Sequence, residues 1–139
     1  MNEKTLSKKT YKHLKAILDD TFQTYVRYRD GWQCITCGIY IPNDKKAMHA
    51  GHYIDRGILS MRWNERSVNA QCAKCNAREH WSKDKNIYAV KLIEKYGQGI
   101  LEELEKEKRY GKTKYKRHEL VDMILFYEQK TVEYILMED

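Results

Sequence analysis

Proline occurs once and glycine seven times in 139 residues, so the chain has few sharp breaks to offer. No internal repeat or low-complexity tract stands out. No run of about eighteen or more apolar residues exists, and no transmembrane helix is expected. The first residues, MNEKTLSKKTYKHLK, carry positive charge with no apolar stretch behind them, which argues against a secretory signal. A cytoplasmic location is expected, and in that compartment thiols stay reduced.

Hydrophobic residues make up 42% of the chain and charged residues 33%, the balance of one globular domain over 1–139. Eleven tyrosines and three tryptophans supply ring area to a core while their polar tips find partners. The net charge of +6 and a pI of about 9.0 favour a polyanion, nucleic acid above all, over a membrane surface.

Three stretches follow along the chain. Over 10–30 a helix is predicted, because Leu14, Ile17, Leu18, Phe22, Tyr25 and Val26 recur at three- and four-residue spacing and Asp30-Gly31 stops the pattern. The 32–85 stretch holds all four cysteines, with a short strand expected at Ile39–Ile41, a second from Met48 to Ile54, and a helix from near Cys75. Helices are expected over 86–139. One ends at Gly97, the next carries Ile100, Leu101 and Leu104, and a last one carries Leu120, Met123, Ile124, Tyr127, Val132 and Ile135.

The cysteines are spaced Cys34-x2-Cys37, then thirty-four residues, then Cys72-x2-Cys75. Two residues between thiolates let each pair wrap a metal through one knuckle, and two knuckles complete a tetrahedral sulfur cage. Zn2+ suits soft thiolates and imposes no geometry of its own. With four thiolates and no open position, this ion is expected to fold the domain and not to do chemistry.

Between the pairs lie His49-Ala50-Gly51-His52, Asn64 and Asn69, and Asn76 follows the last cysteine. A His on a short strand, an Asn in the loop after it and polar groups on the next helix suggest a ββα-metal nuclease site. Phosphodiester hydrolysis needs an activated water and a positive centre on the phosphate. Neutral His52 is the expected base, held in one tautomer by a polar side chain, with Asn64, Ser67 and Asn69 as the candidates. Asn76, His80 and Asp84 are spaced i, i+4, i+8 and fall on one helix face, so they are candidate ligands for a catalytic Mg2+ or Mn2+. His49 is a further candidate, although a strand would aim it away from His52 unless a bulge intervenes at Gly51. His13 and His118 read as surface residues.

The run His49-Ala-Gly-His52-Tyr53, then Met61-Arg62-Trp63-Asn64-Glu65-Arg66, then Gln71-Cys72-x-x-Cys75-Asn76 resembles the phage NinG (Rap) recombination family, and the likeness covers about residues 14–135. The resemblance implies an HNH-like endonuclease of phage or prophage origin that acts on branched recombination intermediates, D-loops and Holliday junctions among them. Ser67 stands where the family pattern has Asn. Ser82-Lys83-Asp84 stands where it has Ser-Gly-Asn, after about two extra residues, and His49 stands where a relative carries Asp.

The expected fold is therefore α+β, a small zinc-stapled HNH-like core flanked by N-terminal and C-terminal helices. DNA is the expected partner, with host recombination proteins and a second copy of the chain as further ones. Arg56, Arg62 and Arg66 are placed to clamp the scissile phosphate. Lys8, Lys9, Lys12, Lys15, Arg27 and Arg29, with Lys112, Lys114, Lys116 and Arg117, are placed to follow the backbone without reading bases. A zinc-stapled DNA-binding module without cleavage is the competing expectation, and a protein-interaction domain the third. Replacing one thiolate tests the zinc reading: Cys72→Ala is expected to lose the fold, and not activity alone, in a circular dichroism melt. A folded, zinc-free Cys72→Ala protein would contradict it.

Overall fold

The computed structural model describes residues 1–137. Its elements are α1 (Glu3–Ser7), α2 (Tyr11–Arg29), β1 (Met48–His52), β2 (Val68–Cys72), α3 (Ala73–Ser82), α4 (Asn86–Tyr96), α5 (Ile100–Tyr110) and α6 (Arg117–Met137). The result is an α+β fold with one small antiparallel sheet.

Helix α2 forms where its periodicity predicts. Thr10 caps its start by accepting a hydrogen bond from the His13 N–H at 3.1 Å, and the chain leaves it through Gly31 and Trp32, both left-handed. Its buried stripe of Leu14, Leu18, Phe22, Tyr25 and Val26 packs on α6, which presents Leu120, Val121, Ile124 and Tyr127. The two helices run in the same sense. Tyr11 donates to the Tyr115 carbonyl just before α6 begins, Phe22 meets Tyr127 edge-on, and Tyr25 reaches both Tyr127 and Tyr134. Each such fully buried side chain contributes about 1.5–3 kcal/mol relative to exposure.

Strands β1 and β2 pair residue for residue, Met48 with Cys72 through His52 with Val68. Ala50 and Val68 face the α2–α6 core. On the opposite face, Gly51 lies beneath the Gln71 side chain, which donates to Thr36 at 2.9 Å and to Glu79 at 2.8 Å. A Cβ at Gly51 would sit 2.9 Å from Gln71 Cβ and closer still to its amide oxygen. Tyr88 of α4, fully buried, donates to the Gly51 carbonyl at 2.7 Å and accepts from Asn69 at 3.2 Å.

Several expectations shift. Ile39–Ile41 forms no strand, only an isolated bridge from Tyr40 to Gln33 on the rim of the first knuckle. The strand from Met48 stops at His52, because Tyr53 and Ile54 turn in to bond the Ser67 carbonyl and hydroxyl and close a loop. β2 was not expected. It is buried along its whole length, so it lacks the polar–apolar alternation that marks a half-exposed strand. Val132 and Ile135 of α6 are exposed, and Thr131 takes the buried position instead.

Gly51→Ala is expected to destabilise the protein by roughly 1–3 kcal/mol in urea unfolding, by the usual cost of overpacking. Combined with Gln71→Ala, the loss should be markedly smaller than the sum of the two single changes.

Candidate functional site

Each cysteine pair forms a knuckle before any ion is considered. The Cys37 N–H points at Cys34 Sγ and the Cys75 N–H at Cys72 Sγ, both at 3.4 Å. Gly38, at φ +81°, makes the turn after the first pair, and Cys72 caps the start of α3, two residues earlier than expected. All four ligand atoms lie within 4.8 Å of one another, with Cys37 Sγ and Cys72 Sγ 3.8 Å apart. Zinc–sulfur bonds of about 2.3 Å at tetrahedral angles place sulfurs about 3.8 Å apart, so the four thiols fit a zinc ion. Burial raises the Cys34 thiol, but backbone N–H groups of Cys37, Cys72 and Thr36 outweigh it and bring it down to about 7.

On the other side of the hairpin, β1 and α3 border two adjoining cavities of about 400 and 340 Å3 that share Ala50, His52, Arg56 and Asn76. His52 donates from Nε2 to the Arg62 carbonyl at 3.1 Å, since a carbonyl can only accept, and this fixes Nδ1 as the unprotonated nitrogen of the neutral ring. Burial holds its pKa below the ordinary histidine value, with the Arg56 and Lys85 charges adding to the effect and the Arg62 carbonyl opposing it.

The carbonyl that holds His52 is itself held. Asp19 of α2 accepts from Arg62 Nε and from the Trp63 indole, both at 2.9 Å, and from Arg56 at 2.9 Å. Burial raises the Asp19 carboxyl, but Arg62 and Arg56 more than compensate and leave it below the usual carboxylate range. Asn64 Oδ1 accepts from the backbone of Arg66 and Ser67 at 3.0 Å each, which pins the loop just beyond Trp63. Its amide nitrogen reaches Glu107 of α5 at 3.0 Å.

No asparagine carbonyl orients His52, contrary to expectation. Asn64 braces the loop. Asn69 points to the opposite face of the sheet, where it is fully buried against Arg66, Tyr88, Arg29 and Lys95. Two of the arginines expected at the phosphate have carboxylate partners. Arg62 is tied to Asp19, and Arg66 is tied to Glu103 and Glu107, so neither is an unengaged phosphate clamp. Arg56 also reaches Asp19 but stays half exposed. In the basic turn Lys112 pairs with Glu119, and Arg117 donates to the Ser7 and Lys9 carbonyls. Lys114 and Lys116 are exposed.

His49 and Asn76 do come together. His49 donates from Nε2 to the Lys46 carbonyl at 3.0 Å, and its Nδ1 lies 3.2 Å from the Asn76 amide. No bulge is present in the regular register, yet His49 and His52 line the same cavity across the edge of β1. His80 lines the adjoining one. Asp84 does not share the face: α3 ends at Ser82, Lys83 turns left-handed, and Asp84 accepts from the Asn86 N–H at the start of α4. Sequence reasoning missed Glu79, whose buried carboxylate borders the cleft and accepts from Gln71. It stands three residues after Asn76, the one signal that placed it on that face. His13 and His118 are exposed, as expected.

A further cavity of about 560 Å3 lies beyond the first knuckle against α4. Its Arg29, Asp30 and Lys95 are already paired with one another.

Taken together, the fold is a helical α+β scaffold around one hairpin, a four-cysteine cluster that fits zinc, and a histidine-lined cleft. The family described as bacteriophage lambda NinG protein matches residues 1–134, and the chain belongs to that family. Membership implies a phage recombination-related function. No curated protein and no solved structure is matched. No helix among the described residues is long and apolar enough to cross a membrane.

Asp19→Asn is expected to loosen the Arg62–Trp63 segment and cost roughly 1–3 kcal/mol. The folded pKa of Asp19 is lowered, so the unfolded chain takes up the proton first as pH falls. The stabilisation is complete above the ordinary carboxylate range and disappears as pH drops through the folded-state value. Urea melts of both proteins from pH 7 down to the acid limit should show the difference shrinking, and a constant difference would refute the assignment.

Proposed function

We propose that the chain is a metal-dependent DNA endonuclease that acts on branched recombination intermediates such as D-loops and Holliday junctions. In this reading the hairpin and α3 form a ββα-metal, HNH-like site. The supporting observation is the His52 ring, anchored through Nε2 to the Arg62 carbonyl and lining a cleft, with no hydrogen bond to Nδ1 among the described residues. That leaves one nitrogen to take a proton from the attacking water. Its depressed pKa keeps it neutral near pH 7.

A bound Mg2+ or Mn2+ would polarise the scissile phosphate and stabilise the leaving oxygen. His49 and Asn76 would hold it, with His80 as a third group. His49 Nδ1 and the Asn76 amide lie 3.2 Å apart, so both would reach one ion once the amide is turned to present its oxygen. The chain's own work is orientation. Asp19 and Asn64 fix the loop, the loop fixes the Arg62 carbonyl, and the carbonyl fixes the tautomer of His52. Asp84 and Asn69 have no part in it. Family membership supports the recombination setting, and the net charge of +6 supports a nucleic-acid partner.

Zinc-loaded protein with Mg2+ or Mn2+ is expected to cut labelled branched DNA. His52→Ala should lower the rate by about 10²–10⁴ while leaving DNA affinity unchanged. Binding without cutting by the wild type would replace this reading with the zinc-stapled DNA-binding module.

A further inference from the structure

Among the described residues, Arg27 and Lys85 are the two half- or fully buried cations at the cleft with no carboxylate within 4.0 Å. Arg27, on α2, is 5% exposed and borders the cavity of about 340 Å3 beside His49 and His52. Its Nε is buried without a hydrogen-bond partner, and no carboxylate lies within 4.0 Å of its guanidinium among the described residues. Its one close contact of note is the face of Trp32, 5.8 Å from the ring centre. Lys85, between α3 and α4, borders the adjoining cavity of about 400 Å3. Its ammonium donates to the His52 carbonyl at 2.6 Å and the Tyr53 carbonyl at 2.8 Å. An ammonium has three N–H bonds, so one remains, and again no carboxylate lies within 4.0 Å among the described residues.

A buried cation without a counter-ion is costly, and proteins ordinarily pair such groups. Burial lowers the pKa of both residues, and carboxylates beyond hydrogen-bond reach, Asp20 for Arg27 and Glu79 and Asp55 for Lys85, only partly offset it. The three arginines expected to clamp the scissile phosphate (Arg56, Arg62, Arg66) already have a carboxylate. The walls of the two cavities together carry five Lys and Arg side chains against the two carboxylates Asp55 and Glu79. The deficit is of negative charge, and it is concentrated on both sides of one histidine.

We infer that Arg27 and Lys85 form a phosphate-binding site that brackets His52 and takes the backbone of a bound DNA strand as their missing counter-ion. Arg27 offers a rigid fork of N–H donors, pre-set by the Trp32 ring, and Lys85 offers a single N–H beside the carbonyl of His52 itself. The inference rests on the nuclease reading only in naming DNA as the source of the phosphate. The anion site stands on the two unpaired cations.

The test uses full-length, zinc-loaded protein without divalent ion. Inorganic phosphate is the first probe, a dinucleoside phosphodiester the second and branched DNA the third, with binding read by calorimetry. Wild type should bind phosphate, and phosphate should raise its melting temperature and compete with DNA. Arg27→Met and Lys85→Met should each weaken phosphate or phosphodiester binding tenfold or more, and each should lower the slope of log affinity for DNA against log salt by about one. Without phosphate, both variants should melt at or above the wild-type temperature, because an unpaired buried charge has been removed. Affinity for the diester but not for free phosphate would assign the site to nucleic acid alone. Should Arg27→Met fail to fold, Arg27→Lys and Lys85→Met carry the test. Wild-type affinity for all three probes in both positions would overturn the inference. If wild type cuts DNA and both variants cut with unchanged KM, this inference falls while the nuclease reading stands. If the variants lose phosphate but wild type never cuts, the reverse holds.

Discussion

Two strands alone do not hold together in water, and the rest of this molecule is arranged around that constraint. The hairpin of β1 and β2 receives a brace at every exposed point. At one end the knuckles clasp Cys72 against Cys37. At the other, Ser67 closes the loop onto Tyr53 and Ile54. Asp30, at the end of α2, accepts from the Ala70 N–H at 2.8 Å on the outer edge of β2. Tyr88 reaches from α4 into the middle of the sheet. On the core face, Ala50 and Val68 rest on the α2–α6 pair. No brace is large, but together they give a five-residue strand the rigidity needed to present a histidine.

That rigidity is handed on through polar contacts and not through packing alone. Asp19 collects four hydrogen bonds from Arg56, Arg62 and Trp63, and Glu65 nearby accepts from Tyr25 of α2 at 2.6 Å and Tyr127 of α6 at 3.1 Å. The segment from 53 to 67 is thus nailed to both long helices although it contains little regular structure itself. Arg29 adds bonds to the Glu65 and Val68 carbonyls. A long excursion of this kind keeps a defined course only when side chains satisfy its backbone, and here Arg29 of α2 takes the Glu65 carbonyl, His52 the Arg62 carbonyl, Asn69 the Arg66 carbonyl and Lys85 the Tyr53 carbonyl.

The parts legible in the sequence were those set by spacing. The two CxxC units announced the knuckles, the three-and-four pattern announced α2, and Gly97 marked the end of α4. The family was legible in the short motifs around His52, Asn64 and Cys72, and the match over 1–134 agrees. What stayed hidden was set by pairing in space. β2 carries no alternation because both its faces are covered. The acceptor for His52 is a main-chain carbonyl, which no residue type advertises. Asp84 fell off the helix because Lys83 turns left-handed, a local event that periodicity cannot register. The arginines closest to the motif found acidic partners on α2 and α5, while Arg27, legible only as one of several basic residues along α2, and Lys85, which nothing in one dimension singles out, have no carboxylate within 4.0 Å among the described residues.

The side-by-side course of α2 and α6 has a consequence for how the chain is made. The helix that ends at Arg29 meets a partner that begins at Arg117. During synthesis at roughly 5–20 residues per second, the apolar stripe of α2 waits several seconds before its cover leaves the ribosome. Contacts so distant along the chain also slow the search for the native pairing. The knuckles and hairpin, whose residues all lie between 34 and 75, can assemble during that wait, so the four-cysteine cluster is complete before the main core can close.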